Sequence, residues 1–85
     1  MARKTARTRI ADCNVMVGQW LKRKRKSAKL SQTLLAKKIG KHRSFVADYE
    51  AGRIGLEIGV FLLICKKTKS DPLVGLEEPV RWCVI

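Results

Sequence analysis

The sequence is short of most residue patterns that catalysis or metal binding requires. Its one histidine, His42, has no second ligand-type residue near it, and its three cysteines, Cys13, Cys65 and Cys83, form no C-x-x-C pair. A zinc site and a disulfide framework are therefore not expected. No nucleophile with an adjacent base and no glycine-rich phosphate loop can be read, so neither an enzyme nor a cofactor or small-molecule site is expected. The longest apolar run, Val60 to Cys65, is far too short to cross a bilayer, and no apolar stretch follows the basic N-terminus as in a secretory signal. No membrane association is expected. Cys83 is third from the end, which does not fit a C-terminal prenylation box. Only two prolines occur against 46% hydrophobic residues, which favours a folded, mainly helical chain over a disordered basic tail. Eighty-five residues suit one small domain.

Acidic residues are also scarce, and unevenly so. Residues 1–47 hold fourteen Lys and Arg against Asp12 alone, a net of +13, while residues 48–85 hold five against six, a net of −1. The front half thus attracts polyanions, and each phosphate it neutralises adds an affinity that fades with salt. Charge alone does not separate DNA from RNA or from an anionic membrane. Aromatic residues number five, most at core spacings, which leaves little for the base stacking that RNA readers use. Cys65 lies in an apolar run and reads as a core thiol in a reducing cytoplasm.

What is present centres on residues 32–50, QTLLAKKIGKHRSFVADYE. Leu35, Ala36, Ile39, Val46 and Tyr49 recur at helical spacing, so two short helices can face one another across a turn at Gly40. Ala36 is small where the helices would cross, and Gly40 suits the left-handed exit from the first. A helix-turn-helix is the simplest unit with these demands. Ser31 is the expected cap of its first helix, with Gln32 at the exposed N-terminus where amide donors suit a phosphate.

The second helix of the pair, from His42 or Arg43 to Glu50, turns Val46 and Tyr49 inward and Arg43, Ser44, Ala47 and Asp48 outward. These four are the candidate base-reading residues. Arg43 can donate twice to guanine, Ser44 can donate or accept, Ala47 can touch a thymine methyl, and Asp48 can accept from cytosine. Phe45 fits either the core edge or contact with DNA sugars. Lys41 and His42 are placed to meet phosphate, His42 as a turn residue.

The run SQTLLAKKIG, then RSFVADYEAGR, then VFLLICKK and DPL, resembles the phage repressor and Cro-like helix-turn-helix group, the XRE family of transcription regulators. The likeness covers Val17 to Leu76 without a gap in the helix-turn-helix. It implies an all-α fold, a compact bundle of about five short helices like the lambda-repressor DNA-binding domain. It also implies that Gln32 clamps the DNA backbone, that Arg53 lies in a loop against phosphate, and that Arg25, seven residues before Gln32, pairs with Glu50. The chain departs from the family at Thr68, Lys69 and Ser70, where Leu, Gly and an apolar residue are usual, so a looser helix end is expected.

In chain order, residues 1–13 read as a flexible basic arm, 14–76 as the helix-turn-helix domain and 77–85 as a tail suited to a dimer contact. The first helix is expected over Asn14 to Ala28 with Asn14 as its cap, and the fourth over Glu57 to Lys67 with Ile58, Phe61, Leu62, Ile64 and Cys65 in the core. Trp82, Val84 and Ile85 either fold back or form a subunit interface, the latter favoured. The expected function is a sequence-specific double-stranded DNA-binding regulator, a cytoplasmic, nucleoid-associated repressor acting as a homodimer on a palindromic operator. The alternative is a protein-interaction module, such as a toxin-neutralising antitoxin or polymerase-binding factor, with a protein partner and only non-specific nucleic-acid affinity.

Overall fold

Capping residues divide the chain where the sequence places them around the helix-turn-helix, and less predictably elsewhere. The computed structural model describes residues 6–83, which form five helices: α1 (Ala6–Ser27), α2 (Gln32–Ile39), α3 (Arg43–Glu50), α4 (Ile58–Thr68) and α5 (Pro72–Cys83). No strand occurs among the described residues. The fold is the all-α bundle expected.

Ser31 is extended, and its Oγ accepts the Leu34 N–H at 3.1 Å, which fixes the start of α2. Gly40 ends that helix at φ 69°, with the Lys41 N–H donating to the Ala36 carbonyl at 2.9 Å. A Cβ at Gly40 would meet no atom within 4 Å, so the glycine serves backbone conformation rather than space. Gly18 shows the opposite case: a Cβ there would lie 2.1 Å from the Tyr49 carbonyl oxygen. The bare backbone of α1 is what lets the end of α3 approach it.

Leu21 of α1, Leu35, Ala36 and Ile39 of α2, Val46 and Tyr49 of α3, and Phe61, Ile64 and Cys65 of α4 form the core. Ile58 and Leu62, expected in it, are 66% and 47% exposed. An unbroken apolar run does not say which of its faces is buried, and here α4 turns these two outward.

Two boundaries differ from expectation. α1 starts at Ala6, so Asn14 lies within the helix and residues 6–13 of the expected basic arm are helical; residues 1–5 lie outside the described residues. Its partner is α5, and their contact is the most extensive between any two helices. Cys13 is disulfide-bonded, contrary to the expectation of no disulfide framework, while Cys65 is free and buried, as expected of a core thiol. The second difference is at the C-terminal end. α5 continues through Pro79 to Cys83, so most of the expected tail is helix, even though Pro79 supplies no N–H to the carbonyl four residues earlier. Trp82 is half-buried, with the Arg9 guanidinium 5.1 Å from its ring centre, so it folds back rather than standing out as a contact; Val84 and Ile85 lie outside the described residues.

The end of α4 is closed, not loose. Thr68 is buried, and its hydroxyl donates to the Ile64 carbonyl at 2.9 Å. Lys69 adopts the left-handed conformation, φ 56°, that glycine would adopt without strain.

Tyr49 is buried, and its hydroxyl has no hydrogen-bond partner among the described residues. Burial first, and then the charge of Glu50, push this phenol well above its ordinary 10.0, and burial pushes the Cys65 thiol up to about 11. Both groups keep their protons in the fold at a pH where the unfolded chain loses them. Their contribution is complete below the unfolded values and is lost as pH rises through the folded ones. Tyr49→Phe is therefore expected to unfold in urea at neutral pH with equal stability or a gain of up to about 1 kcal/mol, and to lose less stability above pH 10.0. A loss of more than about 1 kcal/mol at neutral pH would show that the hydroxyl is satisfied.

Candidate nucleic-acid interface

The interface is built outward from a buried ion pair. The Arg25 Nε donates to Glu50 Oε2 at 2.6 Å and Nη2 donates to Oε1 at 3.1 Å, joining α1 to the last residue of α3. Both residues are buried, and Nη1 also donates to the Leu30 carbonyl at 2.8 Å. The hydrogen bond to Glu50 holds the guanidinium above its ordinary value, against the opposing effect of burial.

From Glu50 the hydrogen bonds run toward the surface. Gln32 Nε2 donates to Glu50 Oε1 at 3.0 Å, and Gln32 Oε1 accepts from Arg43 Nη1 at 3.1 Å. The amide of Gln32 is thus oriented from both ends. The sequence suggests the Arg25 and Glu50 positions through resemblance, but it does not reveal that Gln32 links their pair to Arg43. That link needs the crossing of α2 and α3, which brings residues 32 and 43 together.

At the start of α3, His42 is extended and caps the helix: its Nδ1 accepts the Ser44 N–H at 3.2 Å and lies 2.9 Å from Ser44 Oγ. An imidazole nitrogen here does what a Ser or Asp oxygen usually does. The capping role was missed because histidine is not among the preferred cap residues. Arg43 and Ser44 are exposed beside it, and Lys41 Nζ lies 5.2 Å from the ring centre of the half-buried Phe45. Phe45 in turn meets Tyr49 edge-on at 5.7 Å, which assigns it to the core edge.

Ala47 and Asp48 are half-buried further along the same helix. Asp48 Oδ1 accepts from Arg53 Nε at 3.0 Å, so these two candidates face each other. The five-residue spacing is not a helical pair, and only the turn after α3 brings it about. The arrangement gathers Gln32, Lys41, His42, Arg43, Ser44, Ala47, Asp48 and Arg53 on α3 and its two flanks. Cations stand at both ends of the helix, Lys41 before it, Arg43 as its first residue and Arg53 after it. Asp48, the one acid on its outward side, is neutralised. A surface of that kind accepts a phosphate backbone on either side of a protruding helix N-terminus.

Among the described residues no group of His, Cys, Asp and Glu is placed to hold a metal ion, and no helix is long and apolar enough to cross a membrane. In comparison with known proteins, a family model described as helix-turn-helix matches residues 21–73. No curated protein and no solved structure matches the chain.

Glu50→Gln leaves the Arg25 charge buried with its strongest partner gone. A stability loss of about 3–5 kcal/mol is expected from urea unfolding, whereas replacing both residues by apolar ones, Arg25→Met with Glu50→Leu, is expected to recover most of it. A loss below about 1 kcal/mol for Glu50→Gln would mean the pair is not a constraint on the fold.

Proposed function

The chain belongs to the XRE helix-turn-helix family, as in phage repressor and Cro, and on that premise we propose that it is a repressor that reads double-stranded DNA in the major groove with α3. The domain is of the DNA-binding, transcription-regulating kind. The observation that carries the finer reading is the exposed N-terminal end of α3, with Arg43 held beside Gln32 by a network anchored on the buried Arg25–Glu50 pair, and Ser44 held by His42.

In this reading Arg43 leaves Gln32 Oε1 and donates to the O6 and N7 of a guanine, and Ser44 serves a neighbouring base edge. Ala47 meets a thymine methyl, and Asp48 accepts from a cytosine amino group. Gln32, Lys41, His42 and Arg53 hold the phosphates on either side. The contacts that must open, Arg43 to Gln32 and Arg53 to Asp48, are exposed, so exchanging them for DNA costs little.

A single short helix reads few base pairs, and a two-fold dimer on an inverted repeat supplies the missing specificity. Support for a homodimer comes from apolar side chains left on the surface, Ile58 and Leu62 on α4 and Leu73 and Val80 on α5, the last two 74% and 51% exposed. Repression then follows from occupying an operator in the cytoplasm, at the nucleoid.

Selection from a random duplex library near physiological salt is expected to enrich an inverted repeat. On that site Arg43→Ala is expected to cost about 1–3 kcal/mol of binding and to relax preference at one base. Equal losses on the enriched site and on random duplex would remove the base-reading role from Arg43, and no enrichment would remove operator recognition.

A further inference from the structure

On the described surface a second basic feature lies apart from α3. A groove of about 630 Å³ is formed by the C-terminal ends of α1 and α4, the start of α5 and one residue of α2. Lys24, Lys38, Lys67 and Lys69 line it, together with the apolar side chains of Trp20, Leu30 and Val74. None of its lining residues comes from α3 or from the turn that follows α3. Among the described residues none of the four lysines forms an ion pair. Asp71, the one acid in the groove, uses its Oδ1 to accept the Leu73 N–H at 2.9 Å.

We propose that this groove docks an acidic segment of a protein partner, an extended or helical stretch with several carboxylates and an apolar side chain. Four lysines against one acid, beside apolar side chains, are complementary to such a segment. The backbone points the same way. Lys69 stands at φ 56° and Lys29, beside the lining residues Ala28 and Leu30, at φ 58°, so the ends of both helices hold lysine in a conformation that glycine adopts without strain.

A nucleic acid fits the groove less well. The groove contains no arginine, the side chain best matched to phosphate, although the α3 surface has two. The half-buried ring of Trp20 is already engaged by its neighbours, which leaves less of it for a base to stack on. Phe61 lies 6.5 Å from it, Lys24 Nζ lies 5.6 Å from its centre, and its edge packs so closely on Gly75 that a Cβ there would be 2.5 Å from Cζ3. Because the groove and the α3 surface share no residue, the partner is held while DNA is bound. The inference therefore stands independently of the operator reading.

The test is fluorescence anisotropy of the full chain with a fluorescein-labelled peptide of alternating glutamate and leucine, near physiological salt. Saturable binding is expected, weakened roughly tenfold or more by Lys38→Glu with Lys67→Glu. Lys22→Glu with Arg23→Glu, an equal change of charge on exposed α1 residues outside the groove, is expected to have a much smaller effect. Saturating duplex DNA and Arg43→Ala are expected to leave peptide binding in place, and polyglutamate without leucine to bind more weakly. Lys69→Gly, which removes one charge and the left-handed strain together, is expected to raise the melting temperature while weakening the peptide, so a folding defect cannot imitate the result.

Four results would overturn the proposal. The first is the absence of saturable binding, and the second is displacement by duplex. The third is an equal effect of the two charge-reversal pairs. The fourth is a loss of duplex affinity in the groove variant as large as its loss of peptide affinity, which would make the groove a phosphate track.

Discussion

The structure depends on one charge pair taken out of water. Arg25 and Glu50 are both buried, and leaving either alone there would cost several kcal/mol, so the end of α3 is held to α1 wherever the fold exists. Gly18 makes this approach possible by offering bare backbone to the last turn of α3. Gln32 then carries the constraint to the surface, with one end on Glu50 and the other on Arg43. The direction of α3, the orientation of the Gln32 amide and the resting place of the Arg43 guanidinium follow from a single buried interaction.

Polar contacts weaken from the inside outward. The anchor is bidentate and buried; the outer contacts, Arg43 with Gln32, Arg53 with Asp48 and His42 with Ser44, are exposed and individually worth little. A surface made this way is ordered before it meets a ligand, yet its terminal groups can change partners cheaply. The same economy is absent from the lysine groove. There the lysines form no ion pair among the described residues, and the ends of α1 and α4 hold left-handed lysines.

The middle of the chain was legible because its signals are local. Ser31, Gly40 and the spacing of Leu35, Ala36, Ile39, Val46 and Tyr49 each state a backbone or packing demand within a few residues, and the structure meets them as read. The ends were not legible, because what orders them is distant in sequence. α1 extends back to Ala6 along α5, Cys13 is tied covalently, and α5 runs on through a proline that taken alone argues for a break. Ile58 and Leu62 were misread for a related reason: a run that is apolar all round carries no mark of which face the core will take. Of the candidate interface, the sequence offers the residue types and their rough order along the chain. The pairing of Asp48 with Arg53 and the Gln32 link could not be read from it, since both are made by chain crossings. The lysines of the groove come from three separate stretches and meet only in the folded chain.

The central claim is that α3, positioned by the buried pair, is the surface that meets DNA. It is tested most directly by amide and side-chain NMR of the protein titrated with a short duplex carrying the enriched site. The account predicts that the largest shifts fall on Lys41 to Asp48, Gln32 and Arg53, with the Arg25 and Glu50 signals retained as a bound pair and the groove lysines unchanged. Shifts centred on Lys24, Lys67 and Lys69, or spread evenly over all basic residues with none concentrated on α3, would contradict it.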